Sequence, residues 1–124
     1  MSAPVIEWQI LATDAKAVAD FYVRLFNWTL DADNHLGYRR VTSDQSSGIR
    51  GGIWPAPQAD RNFVQLFIAV DDVRKYYEQA TSLGARSIVA PQNLPDGDEL
   101  AILLDPFGMA FGIIRKGAAD ADSA

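Results

Sequence analysis

The chain has 124 residues, of which 48% are hydrophobic and 22% charged, the composition of one compact soluble domain rather than a disordered tail or a fibre. It holds no cysteine, which excludes thiolate-bound zinc, iron–sulfur clusters, thiol nucleophiles and disulfides, and fits a reducing cytoplasm. With 11 basic against 16 acidic residues, it has neither the cationic footprint of a nucleic-acid binder nor a polybasic membrane patch, so a small molecule is the expected partner.

Along the chain, Val5–Ala12 is predicted as a strand, because Ile6, Trp8 and Ile10 alternate with Glu7, Gln9 and Leu11. Thr13-Asp14 offers a helix cap. Val18, Phe21, Tyr22, Leu25 and Phe26 follow at helical spacing, which predicts a helix over Ala15–Phe26 with this stripe and Trp28 in the core. Short strands are predicted at Trp28–Asp31, Tyr38–Thr42 and Ile49–Trp54, separated by a turn containing Asp33, Asn34 and His35 and by a serine-rich turn.

The second half repeats this order. A strand is expected at Phe63–Val70, then an Asp71-Asp72 cap. A helix follows, carrying Val73, Tyr76, Tyr77, Ala80 and Leu83 and stopped by Gly84, and further strands are expected at Arg86–Ala90, Leu100–Leu104 and Ala110–Arg115. A shift of 58 residues lays Glu7 on Gln65, Ile10 on Ile68, Asp14 on Asp72 and Leu25 on Leu83. Two βαβββ modules, about 5–54 and 63–115, therefore make one pseudo-symmetric domain over 1–116, followed by a short acidic tail at 117–124 read as a solvated end. No apolar run approaches the roughly 20 residues that span a bilayer. The start lacks a basic segment leading into an apolar one, so a cytoplasmic location is expected.

Three segments carry a resemblance: Phe21-Tyr22-Val23-Arg24-Leu25-Phe26-Asn27-Trp28 after the Asp14 cap, Val70-Asp71-Asp72 opening the second helix with Gly84-Ala85 after it, and Asp105-Pro106-Phe107-Gly108 before the last strand. In this order and spacing they resemble the glyoxalase / bleomycin-resistance / extradiol-dioxygenase superfamily, also called vicinal oxygen chelate (VOC), over about Val5–Lys116. The resemblance implies an α+β, glyoxalase/bleomycin-resistance-like fold with eight strands and two main helices, each module curling its strands into a cup. In metal-dependent members the first and last strand of each module supply the ligands. The first-strand positions fall on Glu7 and Gln65. The last-strand position of the second module falls on Gly112, and its counterpart lies near Gly52–Trp54. Two oxygen donors fall short of the three or more that a catalytic divalent ion needs, so no metal or other cofactor is expected. His35 lies in a turn.

The remaining candidates have two readings each. Glu7 is either a ligand contact or an ion-pair partner of Arg50, Arg39 or Arg40, and Gln65 hydrogen-bonds either a ligand or the backbone. Trp54 walls a pocket, plugs the cup or packs in a dimer interface. Trp8 is assigned to the helix-packing core, and the Asp96-Gly97-Asp98-Glu99 run to a solvated turn. Gly51-Gly52, inside a strand, is read as permitting a bulge or a close backbone approach rather than as a phosphate loop. The expected function is binding of a small, partly aromatic molecule without a full metal site, through Glu7, Gln9, Arg50, Trp54, Phe63, Gln65 and Phe67. The alternatives are a lyase or isomerase of the glyoxalase type, either metal-dependent or using Glu7 as base, and a ligand-free interaction module. Three tryptophans, four tyrosines and six phenylalanines, with cups that need covering, point to a homodimer.

Overall fold

The computed structural model describes residues 2–33, 36–42 and 48–117; His35 and the tail from residue 118 lie outside them. Within the described residues there are eight strands and two helices, in the order βαβββ twice, the α+β arrangement of the glyoxalase/bleomycin-resistance-like fold. Glu7–Gln65 form one compact unit. The described residues on either side, up to Ile6 and from Leu66, form the other.

In the first unit β1 (Val5–Ala12), α1 (Ala15–Phe26), β2 (Thr29–Asp31), β3 (Arg39–Thr42) and β4 (Gly51–Pro55) follow one another, with strand order β2-β3-β4-β1. β1 and β4 are parallel, pairing Trp8 with Gly51 and Gln9 with Gly52, while β3 runs antiparallel to β2 and β4. Asp14 caps α1 by accepting from the Ala17 amide at 3.1 Å, and α1 ends where Asn27 turns left-handed at φ 57°. The core joins Ala12, Ala15, Ala19 and Ile53, with Ile10, Val18 and Leu30 against them.

These alanines correct the expected helix stripe. Small side chains at positions 15 and 19 let α1 lie close to the sheet, so Phe21, Leu25 and Phe26 are turned outward and are 58%, 58% and 56% exposed. Tyr22 and Trp28 are half-buried and stack on each other.

In the second unit β5 (Phe63–Ala69, beginning in the first unit), α2 (Val73–Ser82), β6 (Arg86–Asn93), β7 (Glu99–Leu104) and β8 (Ala110–Arg115) follow, with strand order β5-β8-β7-β6. Asp72 caps α2 by accepting from the Lys75 amide at 3.1 Å. Both faces of this sheet are packed. On one face Val73 of α2 packs with Ala101, Leu103 and Ile113, and Phe67, Leu100 and Ile114 form a second cluster. β6 runs three residues past the expected Ala90, through Pro91. It is an edge strand, and its register slips between Ser87 and Val89 and again before Gln92, which accommodates a residue without an amide hydrogen.

The turn at Asp105-Pro106-Phe107-Gly108 is closed by the Asp105 carboxylate, which accepts from the amides of Phe107 at 2.8 Å and Met109 at 3.0 Å. The run Asp96–Glu99 is a solvated turn only in its first half: Asp96 and Gly97 are exposed, whereas Glu99 begins β7. Asp98 is only 3% exposed, accepts from the Gly117 amide at 2.6 Å and pairs with Lys116 at 3.6 Å. Glu99 bridges Arg74 at 3.5 Å and Arg115 at 3.7 Å. Gly117, expected to begin the solvated tail, is buried.

Candidate functional site

Side chains alternate along a strand, so the first unit's sheet divides its residues between two faces. Ile10, Ala12 and Ile53 pack toward α1. Glu7, Gln9 and Leu11 of β1 and Gly52 and Trp54 of β4 take the opposite face, and the register sets Gln9, Gly52 and Arg40 in one row across three strands. Gly52 clears the middle of that row, because a Cβ there would collide with the Tyr38 phenol. The Tyr38 ring fills this space and stacks on Trp54, with centroids 4.5 Å apart and planes at 27°. The glycine pair is thus a close-approach site, with Gly51 covered on the α1 side by the Trp8 indole.

The polar groups on this face are deeply placed. Gln9 is 4% and Gln65 2% exposed, and among the described residues Gln9 Oε1 and both Gln65 Nε2 and Oε1 have no hydrogen-bond partner. Val64 lies on the α1 side with Trp8 and Ile10, so alternation turns Gln65 to the side of Gln9. Burial of an amide without partners is costly. A molecule that displaced what covers these atoms and offered both a donor and an acceptor would recover that cost. Burial above all, and the half-buried Glu7 carboxylate next, hold the Tyr38 phenol well above its ordinary range, while Arg40 pulls the other way. Tyr38 is therefore a protonated donor near neutrality, within the field of one carboxylate and one guanidinium.

Of the residues singled out in the sequence, Glu7, Gln9, Trp54 and Gln65 share this face. The others stand elsewhere. Arg50 is exposed ahead of β4 and contributes its carbonyl to the Trp8 amide at 3.1 Å. Phe63, at the first position of β5, borders a groove of about 400 Å³ beside α1, together with Val18 and Phe21. Phe67 is 1% exposed and its ring fills the space above Gly112, where a Cβ would strike it; it is core of the second unit. Trp8 does lie on the α1 side, but it lines an open groove instead of filling the core. Tyr38 is a site residue that sequence reasoning missed. Its one signal is Gly52 on β4, which leaves room for a ring from elsewhere in the chain.

The four family positions for metal donors do not fit a divalent ion. Two carry Glu7 and Gln65. At the third, the space a side chain on Gly112 would need belongs to the Phe67 ring, and around the fourth, the space over Gly52 belongs to Tyr38. Among the described residues no three His, Cys, Asp or Glu side chains cluster as a metal site.

The sequence profile of the family described as "Glyoxalase-like domain" matches residues 6–114. Among curated proteins the chain is similar to the anthracycline biosynthesis protein DnrV of Streptomyces peucetius, 26% identical over 120 residues, and to DauV of Streptomyces sp. (strain C5), 25% identical over 120 residues. The alignments cover 84% of this chain and 44% of each relative, so the chain spans less than half their length. Among solved structures it resembles a methylmalonyl-CoA epimerase of Streptomyces coelicolor in complex with 2-nitronate-propionyl-CoA, with TM-score 0.59, 17% identity and coverage of 94% and 100% of the two chains. It also resembles a glyoxalase/bleomycin resistance protein/dioxygenase superfamily member from Vibrio splendidus 12B01, with TM-score 0.62, 12% identity and coverage of 93% and 100%.

Proposed function

Because the chain belongs to the glyoxalase-like domain family of the VOC superfamily, we propose that it binds a small, partly aromatic molecule on the face carrying Glu7, Gln9, Tyr38, Trp54 and Gln65, without a catalytic metal. One observation carries this reading: the Gln65 amide is 2% exposed and neither of its polar atoms has a partner among the described residues. Tyr38 stacked on Trp54 supplies an aromatic surface beside it. Gln9 and Gln65 orient polar groups of the ligand, and Glu7 selects a hydroxyl or a cation. The names of the two curated relatives, which assign them to anthracycline biosynthesis, favour a fused-ring ligand. Calorimetric titration with an anthracycline and with smaller hydroxylated arenes tests this. Gln65→Ala is expected to weaken the best ligand by roughly 1–3 kcal/mol, the usual cost of leaving a buried polar group unsatisfied. Trp54→Ala should weaken it by about 0.5–1.5 kcal/mol beyond lost area. Unchanged affinity in both variants, with circular dichroism intact, overturns the reading. Elemental analysis after dialysis against zinc, nickel and manganese should find no stoichiometric ion.

A second reading rests on the field of Glu7 at Tyr38. A carboxylate near a phenol that keeps its proton is a base and donor pair for moving a proton next to a carbonyl. One of the similar folds belongs to a methylmalonyl-CoA epimerase, which favours testing a thioester of that kind. Incubation with a 2-methylmalonyl thioester in deuterium oxide discriminates: solvent deuterium entering the substrate, and its loss in Glu7→Gln, would favour the enzyme over the binding protein. We further propose that the chain works as a homodimer, supported by the exposed Phe21 and Leu25 on α1.

A further inference from the structure

The α1 side of the first unit's sheet holds a groove of about 960 Å³, lined among others by Trp8, Phe26, Asn27, Trp28, Ile49 and Val64. That size is at the upper end for small-molecule sites, roughly 300–1,000 Å³. Trp8, Phe26 and Trp28 give it an aromatic wall. Trp8 and Trp28 lie 5.6 Å apart at 37°, Trp28 is backed by Tyr22 at 5.2 Å and 13°, and Phe26 continues the same slab at 6.0 Å and 29°.

Two features restrict what this surface accepts. None of the described lining residues carries an ionisable side chain, and Asn27, Thr29 and Thr42 offer only neutral polar groups, so a charged ligand would lose water without gaining a counter-charge from them. The Trp8 indole N–H is already donated to the Ile49 carbonyl at 3.0 Å, which leaves the ring face as what Trp8 offers.

We propose that this groove is a second binding site, on the sheet face opposite Gln9, for an uncharged planar polycyclic aromatic molecule. Such a ligand lies flat against the Trp28 slab with its edge toward Trp8, and needs no ionic partner. The site is independent of the polar face described above.

N-phenyl-1-naphthylamine and its sulfonated counterpart 1-anilinonaphthalene-8-sulfonate share one arene skeleton and differ by a charge. Energy transfer from tryptophan to each dye, titrated on the full chain, should show one saturable site for the neutral dye and weaker binding of the anion. Ile49 is 75% exposed, so Ile49→Glu keeps the fold, checked by circular dichroism, while placing a carboxylate in the groove. It should raise the dissociation constant of the neutral dye about tenfold or more, Ile49→Gln much less. Gln65→Ala should leave it unchanged. Equal affinity for the two dyes, no saturable binding, or insensitivity to Ile49→Glu overturns the proposal. Loss of neutral-dye binding in Gln65→Ala also overturns it, since the dye would then occupy the polar face. If Ile49→Glu lowers the mass found by sedimentation equilibrium, the groove is a surface for another copy of the chain, and the proposal falls.

Discussion

Gly52 determines where the Tyr38 phenol lies. Adding one methyl group there drives a Cβ into the ring, so Gly52→Ala should destabilise the protein by roughly 1–3 kcal/mol, the range for overpacking a filled site. Urea denaturation measures this, and pairing Gly52→Ala with Tyr38→Ala should return part of the loss. The phenol also ties stability to alkaline pH. Its folded pKa lies above the ordinary value, chiefly through burial and next through Glu7, so above about pH 10 the unfolded chain releases this proton while the folded one keeps it. Stability is therefore fully present at lower pH and falls as pH rises past that point. Tyr38→Phe should show a shallower fall in chemical denaturation between neutral and alkaline buffer. Identical slopes in the two proteins would refute the assignment. Nothing in the local sequence around Tyr38 announces this role, because it arises from Gly52 on another strand and a carboxylate on a third.

At the scale of elements, the clearest device is the latch at Asp98, which holds the backbone of Gly117 and the charge of Lys116. Asp98→Ala removes a buried acceptor and strands its donors, so a loss of about 1–3 kcal/mol is expected. Amide exchange at Gly117 should accelerate well before exchange in the core of β7. Asp98→Asn keeps one acceptor and should lose less. The latch was not legible in the sequence, since the Gly117 amide lies 19 residues away, with Lys116 just before it, and an acidic, glycine-containing run reads locally as a wet turn. Periodicity with a cap was legible: β1 at Val5–Ala12 and α1 at Ala15–Phe26 follow from alternation, helical spacing and Asp14. The facing of α1 was not, because which stripe is buried depends on how closely Ala15 and Ala19 let the helix approach. Glu7, Gln9, Trp54 and Gln65 could be assigned to one face because strand period and module repeat both act on them. Phe67 could not be withdrawn from it, because its packing against Gly112 is a contact between strands distant in sequence.

For the whole molecule, the curated relatives are more than twice as long as the part this chain matches. On the homodimer proposed above, sedimentation equilibrium at micromolar concentration should give twice the 13.6 kDa chain mass. Leu25, 58% exposed on α1, is the position to break the pair: Leu25→Lys should yield the single-chain mass with unchanged circular dichroism, because exposed apolar area of this kind is what an interface buries. A wild-type chain that sediments at 13.6 kDa throughout would rule the homodimer out.

The paired glycines of β4 have a consequence for how this sequence can vary. Gly51 lies under the Trp8 indole and Gly52 under the Tyr38 phenol, on opposite sides of one backbone. A larger residue at either position is tolerated only with a smaller side chain in place of the matching ring, so drift at 51 is yoked to 8 and drift at 52 to 38. Homologous chains should thus fall into discrete combinations at these two pairs, and a library randomised at all four positions, sorted for folded protein, should return the same combinations and few intermediates.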